Sequence, residues 1–409
     1  MTLNSALQQL IDDHAAGHAL AQAFYADPGV FSLDRETILD ESWHLAGHVS
    51  RLPRPGDYFL FNLLGEEIII NRGSDDGLYA HYNVCRHRGS RVCLEREGRK
   101  SSFVCPYHAW TYNLDGSLRA ARLMDAGFNP QEYGLQPCRL RVLNGLMFVS
   151  LAADSEEFDE NAGHFRKYLD FHGIEDAKIA HRLELPTDAN WKLVVENFIE
   201  CYHCIPSHPE YCSVHSELKL LAAGAGIGSG PEDACRAYEA EHKAWLERVE
   251  ALGHPCDEGD FGNGAGMVRM PIKPGYLTES QDGQPVASLM GRFEEYDGGV
   301  TVIAFNYMNY MLASNDHAAL LRFTPVSELK TEVEATWLVD GKAEAGVDYD
   351  PERVSWVWDV TLKQDAVITE NNQAGVLSAA YRPGPYSGQE MMNRKFIEWY
   401  LEKLAQRAD

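Results

Sequence analysis

The alternation of apolar and polar residues divides the chain into three stretches. Over residues 1–41, Leu7, Leu10 and Ile11, then Leu20 and Phe24, recur at three- and four-residue spacing, which predicts one or two short helices packing on a later domain. From residue 42 to 153 the period drops to two. Tyr58–Leu64, Glu67–Asn71 and Leu78–Asn83 read as strands, with Gly73-Ser-Asp-Asp-Gly77 as a turn, and Leu140–Leu151 reads as the closing strand of a small β domain. An acidic connector, Asp154–Asn161, opens a larger segment over residues 154–409. There Val300–Tyr310, His317–Thr324 and Glu332–Val339 read as antiparallel strands, and Val354–Ser378 and Met391–Ala408 as helices. Gly224–Gly230 is glycine-rich without a phosphate-loop lysine and reads as a loop near a site entrance. The fold class expected is α+β.

The β stretch carries Cys85-Arg-His87-Arg-Gly89 and, after residues 88–104, Cys105-Pro-Tyr-His108-Ala-Trp. Each arm contributes one cysteine and one histidine. That is the pattern of a Rieske [2Fe–2S] cluster, in which two thiolates hold one iron and two neutral imidazoles the other, raising the reduction potential. Tetrahedral zinc uses the same ligand types but normally groups Cys with Cys and His with His. Gly89 lets the loop backbone approach the cluster, and Pro106 stiffens the second ligand turn. Positions that carry an additional cysteine in respiratory Rieske proteins are Ser90 and Tyr107 here, and the oxygenase-type Rieske domain is the one this run resembles.

Charge and cysteine usage narrow the partners. Asp+Glu 61 against Lys+Arg 36 gives a net charge of −25, which disfavours nucleic acid and anionic membranes. No run of about 18 apolar residues exists for a membrane span. Residues 1–33 contain no Lys or Arg and no apolar leader pattern, and the cysteines beyond Cys85 and Cys105 are too sparse for a disulfide framework. A cytoplasmic protein is expected. Cys201-Tyr-His-Cys204 lacks a surrounding βαβ pattern, so its C-x-x-C spacing reads as incidental.

A second set of ligands lies in Glu196-Asn197-Phe198-Ile-Glu200-Cys-Tyr202-His203-Cys-Ile-Pro206-Ser-His208. On a helix Asn197, Glu200 and His203 share a face, and Pro206 would end that helix and let His208 swing back toward His203. Two imidazoles and one carboxylate with open positions suit mononuclear Fe(II). The stripe Trp358, Leu362, Asp365, Ile368 and Asn372 places Asp365 on a largely apolar face, where an ionised carboxylate needs a partner. Asp365 is the expected third ligand, with Asp359 as the alternative.

Together these motifs resemble the α subunit of Rieske non-heme iron oxygenases from Ser42 onward. Asn197-x-x-Glu200-x-x-His203-x4-His208 and Gln364-Asp365-Ala-Val-Ile368-Thr-Glu370 follow that family's two ligand motifs. The resemblance implies a Rieske domain followed by a helix-grip catalytic domain, assembled as a homotrimer. It also implies that electrons pass from His108 of one subunit to Glu200 and His203 of the next. Glu200, where naphthalene-type dioxygenases carry Asp, is similar to the branch that oxidises carnitine, choline, glycine betaine and stachydrine, with stachydrine demethylases nearest in length and motif. Oxidative N-demethylation by O2 would follow, with electrons from NAD(P)H through a separate flavin and iron–sulfur reductase. Aromatic faces would hold a quaternary ammonium, and Phe198, Tyr202, Tyr307, Tyr310 and Trp358 are the candidates. Ring hydroxylation or O-demethylation is the competing activity within the family; a non-catalytic electron carrier or zinc module is the competing class.

Overall fold

The computed structural model describes residues 3–152, 157–216 and 232–406, and the expected glycine-rich loop at 224–230 lies outside them. The chain forms two compact units. One is Asp40–Ser155. The other combines Met1–Leu39 with Glu156–Asp409, so the N-terminal helices group with the last stretch.

Asp40–Ser155 is built from three antiparallel sheets. The largest orders its strands Leu78–Tyr82, Glu66–Arg72, Asp57–Leu63 and Glu97–Arg99. The second pairs His44–His48 with a hairpin, Arg139–Leu143 and Leu146–Ser150. A single strand was expected over that hairpin. Asn144 and Gly145 both take positive φ, 47° and 79°, which is the two-residue reversal that Asn-Gly favours. The third sheet, Phe103–Val104, Thr111–Tyr112 and Leu118–Ala120, carries the second of the two Cys/His loops.

The other unit is a seven-stranded antiparallel sheet gripped by a long helix. Its order is Lys178–Thr187, Lys330–Val339, Ala318–Ser327, Asn309–Ala313, Gly299–Asn306, Ala265–Pro271 and Gly259–Gly262. The expected strand Val300–Tyr310 is therefore two strands. Asn306 Oδ1 accepts from the Met308 amide at 2.9 Å and from Asn309 Nδ2 at 2.7 Å, fixing a reversal that its apolar run conceals. The acidic connector is also shorter than expected, because the helix Glu157–Phe171 begins inside it. Lys178–Thr187 escapes sequence reading because most of it is half-buried on both faces, so no alternation marks it.

The helix Pro351–Val376 starts at Asp350, whose carboxylate accepts from the Glu352 and Arg353 amides, with Pro351 in its first turn. Its buried residues Trp358, Thr361, Leu362, Thr369, Gln373 and Val376 hold the 3.6-residue period. Ile368 is half-buried and Asn372 exposed, so the inward stripe beyond Asp365 runs one residue later than expected. The short helix Trp191–Phe198 lies against it. Gln373 Oε1 accepts from the Asn190 amide at 2.8 Å, and Glu370 Oε1 accepts from the Asp188 amide at 3.0 Å.

Residues from both chain ends hold Trp191–Phe198 from its far side. Asp34, fully buried, pairs with the equally buried Lys192, accepts from Trp191 Nε1 at 3.1 Å and accepts from Tyr400 OH at 2.7 Å. Glu196 accepts from Tyr25 OH at 2.8 Å and Tyr386 OH at 2.7 Å. A buried ion pair needs such extra hydrogen bonds to offset the loss of hydration.

Candidate metal centres

The two Cys/His loops of Asp40–Ser155 share one backbone design. The Cys85 amide donates to Ser90 O at 2.8 Å and the Gly89 amide to Cys85 O at 2.9 Å; the Cys105 amide donates to Trp110 O at 2.8 Å and the Ala109 amide to Cys105 O at 3.0 Å. The fifth residue of each loop is left-handed, Gly89 at φ 78° and Ala109 at φ 57°. The alanine costs about 1–2 kcal/mol there. Cys85 and Cys105 are buried, whereas His87 and His108 are exposed, with their Nδ1 atoms 3.2 Å apart. Imidazole planes are braced by stacking, His87 on Trp110 and His108 on Tyr107. Two inner thiols and two outer imidazoles facing one another are the donor set of a Rieske cluster, and the imidazole edge is the solvent edge.

Tyr112 was not singled out in the sequence. Its hydroxyl lies 3.2 Å from Cys85 Sγ and accepts from the Arg86 amide at 3.0 Å. Against a ligating thiolate the hydroxyl must donate, which favours the reduced cluster. Tyr112→Phe is expected to lower the cluster potential by on the order of 50 mV, since one hydrogen bond is worth about 1 kcal/mol and this is a one-electron couple. Protein-film voltammetry would measure it, and an unchanged potential would remove Tyr112 from this role.

The second centre forms where the helix Trp191–Phe198 stops. The sequence predicts that this helix continues through His203 and breaks at Pro206. Instead it ends at Phe198, Glu200 and His203 lie on a turn, and Pro206 sits in the first turn of the separate helix Cys204–Ser207. There the absent N–H of proline leaves no helical bond unmade. Glu200 shapes the turn, its Oε2 accepting from the amides of Tyr202 and His203. Helix Pro209–Val214 then begins directly after His208.

His203, His208 and Asp365 converge, their ligand atoms all within 4.8 Å of one another. Asp365 Oδ1 is 3.0 Å from His208 Nε2 and 3.4 Å from His203 Nε2. Each imidazole spends its Nδ1–H elsewhere, His203 on Glu200 Oε1 at 2.6 Å and His208 on Gln364 Oε1 at 2.8 Å. Their Nε2 atoms therefore face the carboxylate as lone pairs. Neither His208 Nε2 nor Asp365 Oδ1, both buried, has a hydrogen-bond partner. Buried acceptors aimed at one point fit a cation.

Without one, protons occupy the same place. Burial lowers the affinity of His203 for a proton, but the neighbouring Asp365 and Glu200 carboxylates outweigh it and raise the pKa to about 10. Burial raises the Asp365 pKa, yet the two imidazoles hold it below the usual carboxylate value. A metal would compete with these protons. Asn197, expected to support the site, donates toward His203 Nε2 at 3.3 Å, on the side facing Asp365. Asp359, the alternative ligand, instead pairs with Lys363 at 2.7 Å.

A cleft reaches Asp365 between the long helix and the sheet, lined in part by Asn197, Phe198, Phe323 and Leu362. Of the five expected aromatics, three belong together. Phe198 lies 4.6 Å from Tyr310 and 6.1 Å from Trp358, ring centre to ring centre. Tyr307 packs on Phe396 and Trp399, and Tyr202 is 56% exposed, so the structure does not bring these two into that group. Phe323 and Tyr211 take their places, at 5.1 Å from Phe198 and 5.7 Å from Trp358. Phe323 alternates on a strand read in the sequence, and Tyr211 follows the second histidine closely, but nothing in the spacing singles them out.

Comparison with known proteins agrees with this layout. Residues 174–406 match the family model of the ring hydroxylating alpha subunit (catalytic domain), and residues 42–137 that of the Rieske [2Fe-2S] domain. The chain is 36% identical over 395 residues, 96% of its length and 90% of the relative's, to a glycine betaine monooxygenase oxygenase subunit of Pseudomonas aeruginosa. It is 30% identical to the chloroplastic choline monooxygenase of Spinacia oleracea, covering 90% of this chain and 74% of that one. A solved quaternary ammonium Rieske monooxygenase shares the fold, with a TM-score of 0.72, 21% identity and coverage of 97% of this chain and 98% of its own. Two successive domain matches and similarity over nearly the whole chain lead to one assignment: the chain belongs to the α subunits of Rieske-type ring-hydroxylating oxygenases.

Proposed function

We propose that this oxygenase removes a methyl group oxidatively from a quaternary ammonium betaine of the glycine betaine or stachydrine kind. His203, His208 and Asp365 hold a mononuclear Fe(II), and Cys85, His87, Cys105 and His108 hold the [2Fe–2S] cluster. The observation that carries the reading is the aromatic group of Phe198, Tyr310, Phe323 and Trp358 beside a cleft that reaches Asp365. A tetra-alkylated nitrogen offers no hydrogen-bond donor, so aromatic faces are its natural wall. Relatives named for glycine betaine, carnitine and choline support the same class.

Held by these residues, the iron centres would supply O2 reduction and insertion of one oxygen atom into an N-methyl C–H bond. The net step consumes O2, two electrons and two protons and yields water and an N-hydroxymethyl product, which breaks down to formaldehyde, the demethylated amine and a proton. The chain's own residues orient and exclude. Aromatic side chains strip water from the ammonium, Glu200 holds the His203 ring through Nδ1, and Asp365 completes the negative face. Electrons come from NAD(P)H through a separate reductase, and in a homotrimer they pass from His108 of one subunit to Glu200 of another. Cytoplasmic residence follows from the same resemblance and cysteine usage; among the described residues no helix is long and apolar enough to cross a membrane.

The test is reconstitution with an NAD(P)H-dependent reductase, offering glycine betaine, proline betaine, carnitine, choline and a bicyclic arene in parallel. One formaldehyde per O2 from a betaine is the expected result. Diol from the arene with no formaldehyde from any ammonium compound would replace this reading with ring hydroxylation.

A further inference from the structure

The two imidazoles of the proposed iron site are supported differently. His203 Nδ1 meets a carboxylate, Glu200, directly. His208 Nδ1 meets a neutral amide, and Gln364 Nε2 on the other end of that amide donates to Glu210 Oε2 at 2.7 Å. Gln364 is also the residue next to Asp365 in the long helix, so one side chain links the second imidazole to the helix that carries the carboxylate.

An amide has two chemically opposite ends, and here the choice between them matters. With its oxygen toward His208, Gln364 requires a hydrogen on Nδ1 and leaves Nε2 as a lone pair directed at Asp365. Turned over, it would offer N–H to Nδ1, move the hydrogen to Nε2 and close that nitrogen to a metal. Gln364 alone has little to distinguish the two states. Glu210 does, because a carboxylate accepts only, and it can bind only the NH2 end.

We propose that Glu210 and Gln364 form a positioning relay: Glu210 sets the amide orientation of Gln364, and Gln364 thereby sets the tautomer and ring orientation of His208 as a metal ligand. Glu210 is in the first turn of the helix that begins after His208, so the relay is partly encoded by adjacency. The inference rests on the reading of His203, His208 and Asp365 as the iron site.

The experiment follows mononuclear iron in the purified holoenzyme by iron and sulfide content, by its rate of loss to a chelator and by the ferrous–nitrosyl EPR signal. Glu210→Ala is expected to lose this iron about 10-fold faster and to broaden or shift the nitrosyl signal, with sulfide content unchanged. Glu210→Gln is expected to lose iron faster than the parent but no faster than Glu210→Ala, because its amide can either accept from Gln364 or donate to it and so no longer fixes the orientation. If Glu210→Ala does not fold, the exchange Glu210→Gln with Gln364→Glu serves instead: the new carboxylate accepts from both His208 and the new amide, and iron retention should return to within about 2-fold. Parent-like iron loss and signal in Glu210→Ala would overturn the relay, as would an exchange variant that loses iron 10-fold faster. A parent protein with no mononuclear iron would instead overturn the reading of the iron site itself.

Discussion

Asp365→Ala is expected to purify with its cluster intact, near two sulfides and two irons per chain, yet without mononuclear iron or formaldehyde release. The carboxylate is the only anionic member of the three converging ligands. Its removal leaves two imidazole lone pairs and no ligating anion to balance a dication, in a site where His208 is buried. The loss of affinity should exceed the ~10–100-fold carried by groups that merely support ligands. The same substitution separates the two centres spectroscopically, since the reduced cluster signal has no reason to change. A variant that keeps a third iron per chain and turns over at more than about a hundredth of the parent rate would show that another group, not Asp365, is the ligand.

Glu200→Ala tests a subtler dependence. The cluster and the mononuclear iron should both be present on purification, because no proposed ligand is removed, although the mononuclear iron should be lost to a chelator about 10-fold faster; product formation should fall by about 100-fold or more while reductase-driven cluster reduction stays normal. Glu200 accepts the Nδ1–H of His203 and two amides of the turn that presents it. Without it the ring keeps its place in the chain and loses its fixed direction. Stopped-flow reduction of the cluster, followed by single-turnover product analysis, separates the two steps. Retained coupled oxidation would remove Glu200 from the electron route.

Much of this site is legible in the sequence because its chemistry is local. The Cys/His pairs of each cluster loop are two or three residues apart, and His203 and His208 are five apart, so short spacing already specifies the donors. Asp365 was reachable because a charged residue on an apolar helix stripe needs explaining. What spacing could not supply was backbone detail and lateral neighbours. The helix ends at Phe198 rather than at Pro206, since a proline within a first turn is harmless and only the fold shows which turn it occupies. Tyr307 and Tyr310 lie three residues apart, yet a reversal at Asn306 sends them to different surroundings. Gln364 was visible as part of a motif; its hydrogen bonds to His208 and Glu210 were not.

The compact unit Asp40–Ser155 interrupts the polypeptide of the other unit, so the oxygen-handling fold is encoded in two separated pieces of sequence. Asp34 and Tyr25 belong to the earlier piece and Lys192 and Glu196 to the later. A fragment starting at residue 156 would strip the buried Lys192 ammonium of the carboxylate it pairs with directly, at a cost of several kcal/mol. The electron-storing unit is thus a cassette inserted in its host's sequence, and dissecting the protein means excising the middle while keeping both flanks.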